Sequence, residues 1–259
     1  MHPRIVISGG TSGIGAAVAR RLLTSGCELW SLDRVESTIP GIHHVHCDLA
    51  DPESIDVAVR QLPSGLDGVI NVAGISPTGH SPEAIVAVNF LGMRQLIERT
   101  IPGVADDGAV VIVASSAGRD WRDNEHQVSA MLDTPDFAAG LQWLRRHGTD
   151  WQDLAYKFSK QCAAAYTYRA AGLARDRRVR VNCINPGITE TPLAPDFREM
   201  LGADQFDRIL KQSGRAGSPD EVAAIAEFLL TGDCSWLNGV ELTVDGGYYA
   251  GLVGGWITD

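Results

Sequence analysis

The chain has 259 residues, 44% hydrophobic and 21% charged, and this ordinary globular composition excludes a disordered or fibrous protein. Its 32 acidic and 22 basic side chains give a formal net charge of −10. Because that charge repels phosphate backbones and anionic membrane surfaces, we expect neither as a partner. No run is long enough for a signal sequence or a membrane span, and the five cysteines form no Cys-x-x-Cys pair. These features predict a cytoplasmic protein without disulfides.

Short β-branched runs alternate with helical patterns along the whole chain. They predict strands at residues 4–8, 28–33, 43–47, 68–72, 109–115, 180–185 and 240–244. Asp51-Pro52 and Ser218-Pro219 mark helix starts between them, and Glu221 completes a capping box with Ser218. The alternation is typical of βαβ units. We therefore predict a single α/β domain, residues 1–259, with a doubly wound, seven-stranded parallel Rossmann-type sheet and helices on both faces.

An insert at residues 119–152 interrupts this alternation of strands and helices. It is longer than a simple connection and contains a helix of its own, because Phe137, Leu141 and Leu144 share one apolar face after Asp136. Three tryptophans lie in it: Trp121, Trp143 and Trp151. The insert is either a lid or wall of a substrate pocket, or a surface excursion that packs on the body or on a neighbouring subunit.

A glycine-rich turn joins the first strand to the first helix. It consists of Gly9, Gly10, Thr11, Ser12, Gly13, Ile14 and Gly15. Glycines in this position let the backbone approach a pyrophosphate, while the helix N-terminus offers free N–H groups. A strand precedes the turn, a helix follows, and an acidic residue ends the next strand at Asp33. This context predicts a dinucleotide site.

Asp33 favours NAD over NADP as the cofactor. Its carboxylate accepts hydrogen bonds from both ribose hydroxyls but repels a 2′-phosphate. The neighbouring Arg34 offers a guanidinium that binds phosphate or covers the adenine ring. Ser12, which is not basic, precedes the second glycine of the turn, so NAD stays favoured.

Tyr156 and Lys160 are four residues apart and share a helix face. A nearby ammonium stabilises a phenolate and lowers the pKa of a tyrosine, which would make Tyr156 a better acid–base catalyst. Many solvated helices carry such a pair by chance, so the spacing alone does not identify a site.

Several motifs, taken together and in order, resemble the short-chain dehydrogenase/reductase family. They are the glycine turn, Asp48-Leu49, Asn71-Val72-Ala73-Gly74, Ser115-Ser116, Tyr156-x-x-x-Lys160 and Asn185-Pro186-Gly187. The resemblance implies that Tyr156 is the general acid/base and also contacts the cofactor, and that Lys160 holds the nicotinamide ribose and tunes Tyr156. It implies that Ser116, rather than Ser115, binds the substrate oxygen, and that Asn89 helps to hold a proton-relay water.

The same resemblance implies the remaining cofactor contacts. By this resemblance, Asp48 and Leu49 line the adenine site, and Asn71, Ala73 and Gly74 lie beside the adenine ribose. The loop after the sixth strand binds the nicotinamide carboxamide. That loop contributes Pro186, Gly187, Ile188 and Thr191. No metal site is predicted, because His44 and His46 share a strand face without a third ligand.

About 40 residues separate Ser116 from Tyr156, more than in most family members. This insert and the loop after Pro186 resemble the bacterial 3α-hydroxysteroid dehydrogenase/carbonyl reductase branch, and coniferyl alcohol dehydrogenases look similar. We therefore expect an NAD(H)-dependent enzyme of the hydroxysteroid dehydrogenase/carbonyl reductase type, which interconverts a secondary, allylic or aryl alcohol and its carbonyl compound. The substrate is expected to be small and mostly apolar. The alternatives are an aryl alcohol dehydrogenase of the coniferyl type, a non-catalytic dinucleotide sensor and a sugar-nucleotide epimerase. The resemblance also implies a homo-oligomer, a dimer or tetramer.

Overall fold

The computed structural model describes residues 2–147 and 154–257. Its centre is one parallel sheet with the strand order β3-β2-β1-β4-β5-β6-β7. The strands are β1 Arg4–Ser8, β2 Glu28–Asp33, β3 Ile42–His46, β4 Leu66–Asn71, β5 Val104–Val113, β6 Arg180–Pro186 and β7 Glu241–Val244. The predicted seven-stranded, doubly wound architecture is confirmed. The fifth strand both begins and ends earlier than predicted.

Helices cover both faces of the sheet. They are α1 Gly13–Thr24, α2 Pro52–Val59, α3 Pro82–Val86, α4 Met93–Thr100, α5 Glu125–Leu132, α6 Phe137–Arg146, α7 Ala155–Leu173, α8 Ala194–Leu201, α9 Ala203–Ser213, α10 Pro219–Thr231 and α11 Tyr248–Gly254. Helices α1 and α10 pack on one face, and α2, α4 and α7 pack on the other. Alternate residues of β1 enter the two cores, Val6 on one side and Ile5 and Ile7 on the other, as the period of a strand requires.

Polar caps fix where the helices begin. The Asp51 carboxylate accepts from the Glu53 N–H at 3.0 Å, and Ser218 and Glu221 form the predicted capping box. Ser81 caps α3 in the same way, although its Ser-Pro signal was not used in the sequence prediction. A cap of this kind stabilises a helix by about 1 kcal/mol.

A π-helical turn at Ala87–Gly92 joins α3 to α4 without a break. A Cβ added to Gly92 would lie 2.1 Å from the carbonyl oxygen of Leu49, so only glycine lets this turn approach the loop after β3. Asn89 lies within the turn, at the edge where the strands end. An extra residue per turn is common at functional sites because it redirects the side chains around it.

The helices of the insert pack on the body of the molecule. Phe137 and Leu144 of α6 and Met131 of α5 are buried in the same core as Phe90 and Phe158. A second contact holds the turn between α5 and α6, because the buried Arg94 of α4 donates to the Thr134 carbonyl at 3.0 Å.

Neither described tryptophan of the insert faces the large cleft at the strand ends. Trp143 stacks on Phe158 at 5.9 Å, and Trp121 packs against Tyr168 at 5.8 Å; Trp151 lies outside the described residues. In the described part of the insert, therefore, α5 and α6 pack against the body of the protein and do not form a lid over the cleft. The prediction of a packed excursion fits them better.

All five cysteines are buried free thiols. Within the described residues, no helix is both long and apolar enough to cross a membrane.

Candidate active site

A cleft of about 810 Å³ opens at the carboxyl ends of the strands. It crosses the point where the strand order reverses between β1 and β4, which is where open α/β sheets bind ligands. The cleft brings together most of the predicted site residues: Gly9, Thr11, Ser12, Gly13, Ile14, Gly15, Asp33, Arg34, Asp48, Leu49, Ala73, Gly74, Ser116, Tyr156, Lys160, Pro186, Gly187, Ile188 and Thr191. Asn71 and Asn89 lie behind its wall and are 2% exposed.

The glycine turn forms a cradle that side chains would fill. A Cβ added to Gly15 would lie 1.8 Å from the Gly9 carbonyl oxygen, and one added to Gly9 would lie 2.6 Å from the Ala73 Cα. Gly9 and Gly13 also have positive φ angles of 75° and 51°. Ser12 is the extended residue before α1, so the helix begins within the turn. These features fit a pyrophosphate bound at the N-terminus of α1.

Asp33 lies at the end of β2, next to this cradle. Its carboxylate accepts from the Thr11 hydroxyl at 2.8 Å and from the Val35 N–H at 3.2 Å. Arg34 is exposed and also lines the cleft. The carboxylate is therefore fixed by its neighbours, as a residue that binds ribose hydroxyls should be.

The segments after β3 and β4 form the floor of this half of the cleft. Asp48 accepts from the Ala50 N–H at 2.9 Å, which turns the chain so that Leu49 is buried. The Ser8 hydroxyl donates to Asn71 at 2.6 Å, and the Ala73 N–H donates to the Ser8 carbonyl at 3.0 Å. Asn71 therefore supports the floor from behind and does not line the cleft.

Asn89 uses both ends of its side-chain amide to hold one backbone segment. Its oxygen accepts from the Ile75 N–H at 2.8 Å, and its nitrogen donates to the Ile75 carbonyl at 3.0 Å. A Cβ added to Gly74 would lie 3.1 Å from the Asn89 oxygen and 3.6 Å from the Lys160 Nζ. Asn89 thus fixes the backbone next to Lys160, a role that the sequence did not predict.

Tyr156 lies in the first turn of α7 and faces the end of β5. The Ser115 hydroxyl hydrogen-bonds its hydroxyl and lowers its pKa, while burial raises that pKa more strongly, to about 12. The Ser115 oxygen also accepts from the Ala117 N–H at 3.2 Å, which fixes its position before a short 3₁₀ turn. The Phe197 ring covers Tyr156 at 5.1 Å between centroids.

The serine that contacts Tyr156 is Ser115, whereas the resemblance implied Ser116 as the serine that binds the substrate oxygen. Ser116 lines the cleft, but it lies in the 3₁₀ turn, and its carbonyl accepts from Arg119 at 3.3 Å. The strand ends at Val113, so Ser115 is the extended residue that precedes the turn. A serine that accepts from the N–H two residues later is a common turn signature, and the sequence contains it at Ser115.

Lys160 is buried beside Tyr156, with its Nζ 5.7 Å from the centre of the Tyr156 ring. Burial lowers the pKa of Lys160 to about 8. We expected an ammonium that lowers the pKa of Tyr156. The shift is in the opposite direction, because burial raises the pKa of Tyr156 more than the Ser115 hydrogen bond lowers it.

The loop after β6 closes the far side of the cradle. The Gly187 N–H donates to the Val244 carbonyl at 2.9 Å, and the Gly217 N–H donates to the Ile188 carbonyl at 2.9 Å. A Cβ added to Gly13 would lie 3.3 Å from Thr191, so this loop reaches the glycine turn. Pro186, Gly187, Ile188 and Thr191 therefore line the cleft next to the glycine turn.

The sequence did not identify the residues that line the substrate end of the cleft. Apolar ones come from the loop after β6 and from α8 and α9: Leu193, Phe197, Met200, Leu201 and Ile209. Polar ones come from the start of the insert, from α7 and from the start of α11: Arg119, Asp120, Lys157 and Tyr248. The amphipathic pattern of α9 was a usable signal, since its apolar face needs a partner.

Comparisons with known proteins agree with this arrangement. A family model described as short chain dehydrogenase matches residues 3–128, and one described as enoyl-(acyl carrier protein) reductase matches residues 145–249. A coniferyl-alcohol dehydrogenase from Pseudomonas sp. (strain HR199 / DSM 7063) is 32% identical over 247 residues, covering 95% of this chain and 96% of that protein.

Two hydroxysteroid dehydrogenases are also similar. The 3-alpha-hydroxysteroid dehydrogenase/carbonyl reductase from Comamonas testosteroni is 26% identical, covering 94% of this chain and 95% of that protein. The crystal structure of the 3-alpha-hydroxysteroid dehydrogenase from Pseudomonas sp. B-0831, complexed with NADH, superposes with a TM-score of 0.81 at 28% identity. It covers 98% of this chain and all of that one.

Proposed function

The chain belongs to the short-chain dehydrogenase/reductase family, and from this premise we propose that it is an NAD(H)-dependent enzyme that interconverts an alcohol and its carbonyl compound. The observation that carries the proposal is the contact between Ser115 and Tyr156, with Lys160 beside them, in the cleft that also contains the glycine turn. A non-catalytic sensor has no need for these three side chains to converge.

In the proposed mechanism, Tyr156 moves the proton. During reduction its hydroxyl donates a proton to the carbonyl oxygen, and during oxidation its phenolate takes the proton back. Ser115 donates a hydrogen bond to the same oxygen and orients it. When bound, the nicotinamide cofactor supplies or accepts the hydride.

Two further side chains hold this arrangement in place. Lys160 has a buried ammonium without a hydrogen bond to any described residue, so it is available for the hydroxyls of the nicotinamide ribose. Asn89 holds the backbone at Ile75 in position next to Lys160. We propose that Asn89 contributes to a proton relay through this positioning, since its amide is already engaged.

We propose NAD rather than NADP because a carboxylate at Asp33, at the end of β2, would repel a 2′-phosphate. Steady-state kinetics with NADH and NADPH test this choice. We expect NADH to be preferred, and Asp33→Ala to reduce that preference by roughly tenfold or more because the repulsion is removed. A parent enzyme that prefers NADPH would show that Arg34 outweighs Asp33.

For the substrate, we propose a mostly apolar alcohol or ketone, in line with the side chains of α8 and α9 in the cleft wall. Two classes have specific support. A hydroxysteroid is supported by the structural likeness with a TM-score of 0.81, and an aryl or allylic alcohol by the relative at 32% identity. Turnover of NAD with a panel of 3-hydroxysteroids and cinnamyl-type alcohols separates them, and no turnover with either panel would contradict the proposal.

We also propose a cytoplasmic homo-oligomer, a dimer or tetramer. Since the insert covers the outer face of α4 and α7, other surfaces would form the contacts. Light scattering measures the assembly, and a mass of 27.8 kDa, that of one chain, would contradict it.

A further inference from the structure

Three charged side chains line the substrate end of the cleft: Arg119, Asp120 and Lys157. They come from the same two segments that supply the proposed catalytic groups. Arg119 follows the 3₁₀ turn that begins after Ser115, and Lys157 follows Tyr156 in α7. The cluster and Tyr156 therefore line the same cleft.

The cluster has one carboxylate for two cations. Asp120 lies 3.2 Å from the Arg119 Nε and 3.5 Å from the Lys157 Nζ. One positive charge within the cluster is thus not balanced. This distinguishes it from Arg215, another arginine of the cleft wall, which is paired with Glu221.

The Arg119 guanidinium is held in a fixed orientation. It donates to the Ser116 carbonyl at 3.3 Å, and one of its faces stacks on the Tyr249 ring at 4.6 Å. The side chain is only 19% exposed, and its enclosed Nε faces the Asp120 carboxylate at 3.2 Å without forming a well-aligned hydrogen bond. A partly desolvated guanidinium with a fixed plane is well suited to bind a carboxylate, because little entropy is lost on binding.

The opposite wall is apolar and belongs to α8 and α9. It presents Phe197, Met200 and Ile209 to the same end of the cleft. A ligand that satisfies both walls has an apolar body and one anionic end.

From these observations we propose that Arg119, supported by Lys157, binds an anionic oxygen group, such as a carboxylate, on the alcohol or ketone substrate. The proposal rests on the proposed function, because it concerns the specificity of that same cleft. It adds a substrate class: ketones and alcohols that carry an acidic group away from the reacting carbon.

Matched acid and ester substrates test this proposal. The probes are 4-acetylbenzoate, 3-(4-acetylphenyl)propanoate and their methyl esters, with NADH as the reductant. A further probe, 4-hydroxyacetophenone, tests whether a phenol can take the place of the carboxylate. We expect the parent to reduce at least one acid with a kcat/KM roughly tenfold above that of its ester. Arg119→Gln should remove the preference by raising KM for the acid, and should leave the ester within about twofold.

Two variants keep the test specific. Arg119→Lys retains the charge and should keep part of the acid preference, whereas a merely structural arginine would show no such rescue. Arg145→Gln changes an exposed arginine that pairs with Glu83 outside the cleft, and it should behave as the parent does. Equal turnover of acids and esters by the parent, or equal losses for both in Arg119→Gln, would overturn the proposal.

Failure of the proposed function gives a different result. If neither acids nor esters are reduced, binding of 4-acetylbenzoate to the NADH-loaded protein is measured by calorimetry. Binding to the parent that is lost in Arg119→Gln supports the anion site without the reaction. Absence of binding, or the same affinity in both proteins, overturns it.

Discussion

Burial sets the protonation of the two central side chains. It raises the pKa of Tyr156 to about 12 and lowers that of Lys160 to about 8, so near pH 7 the tyrosine is protonated and the lysine is charged. The buried ammonium has no carboxylate beside it in the described structure, which makes Lys160 costly to the fold. A buried charge that is left unpaired so that it can bind a ligand destabilises the fold in this way.

Lys160→Met should therefore stabilise the protein near pH 7. The folded state binds fewer protons than the unfolded state between pH 8 and 10.5, so the stability contribution is complete above 10.5 and is lost as the pH falls through about 8. We expect the variant to gain up to about 3 kcal/mol at pH 7, or roughly 5 °C in Tm. Thermal unfolding from pH 7 to 10 measures this, and the gain should shrink as the pH rises. A less stable variant at pH 7 would show that the ammonium has a favourable partner.

Ser115 and Ser116 offer the sharpest comparison of neighbouring residues. Ser115→Ala should lower kcat about 10²-fold or more, because it removes a hydrogen bond to the reacting oxygen. Ser116→Ala should stay within a few fold of the parent. Steady-state reduction of one ketone by both variants checks this, and the reverse order of effects would restore Ser116 as the functional residue.

The choice between these serines depended on one residue of register. Successive residues of a strand face opposite sides, so the side that each serine faces depends on where the strand ends. The sequence prediction extended β5 to Ser115 and therefore did not locate the turn. In the structure the strand ends at Val113, and the hydrogen bond from the Ala117 N–H selects Ser115. Element boundaries of this kind depend on tertiary contacts that sequence periodicity does not contain.

For the insert, the sequence predicted one helix correctly but left open what that helix packs against. The spacing of Phe137, Leu141 and Leu144 predicted helix α6 and its apolar face. The spacing did not show what that face covers. Helix α5 was missed, since it has only eight residues and a weak apolar pattern.

If α6 serves packing, its core residues should affect stability and not substrate binding. Leu144→Ala removes a buried side chain and should cost about 2–5 kcal/mol of unfolding free energy. KM for ketones should stay unchanged at a temperature where the variant is folded. Chemical denaturation and kinetics measure the two effects, and a raised KM with unchanged stability would instead identify α6 as a lid.

At the scale of the whole molecule, the sheet and the cofactor half of the cleft were predictable. Strand periodicity, the glycine turn and Asp33 are local signals, and each of them lies in one continuous segment. The substrate half was not predictable, because α8, the insert and α11 meet there from distant parts of the chain. Arg119 has no distinctive sequence context, and only the fold places it in the same cleft as Tyr156.

The role of Tyr156 is tested most directly by NADH oxidation with a panel of ketones, comparing the parent with Tyr156→Phe. The substitution removes only the hydroxyl, so NADH affinity, followed by fluorescence, should be unchanged. Turnover of every ketone that the parent accepts should fall by roughly 10³-fold, since the substitution removes the proposed proton donor. Unchanged turnover in Tyr156→Phe, with NADH binding intact, would contradict the proposed chemistry.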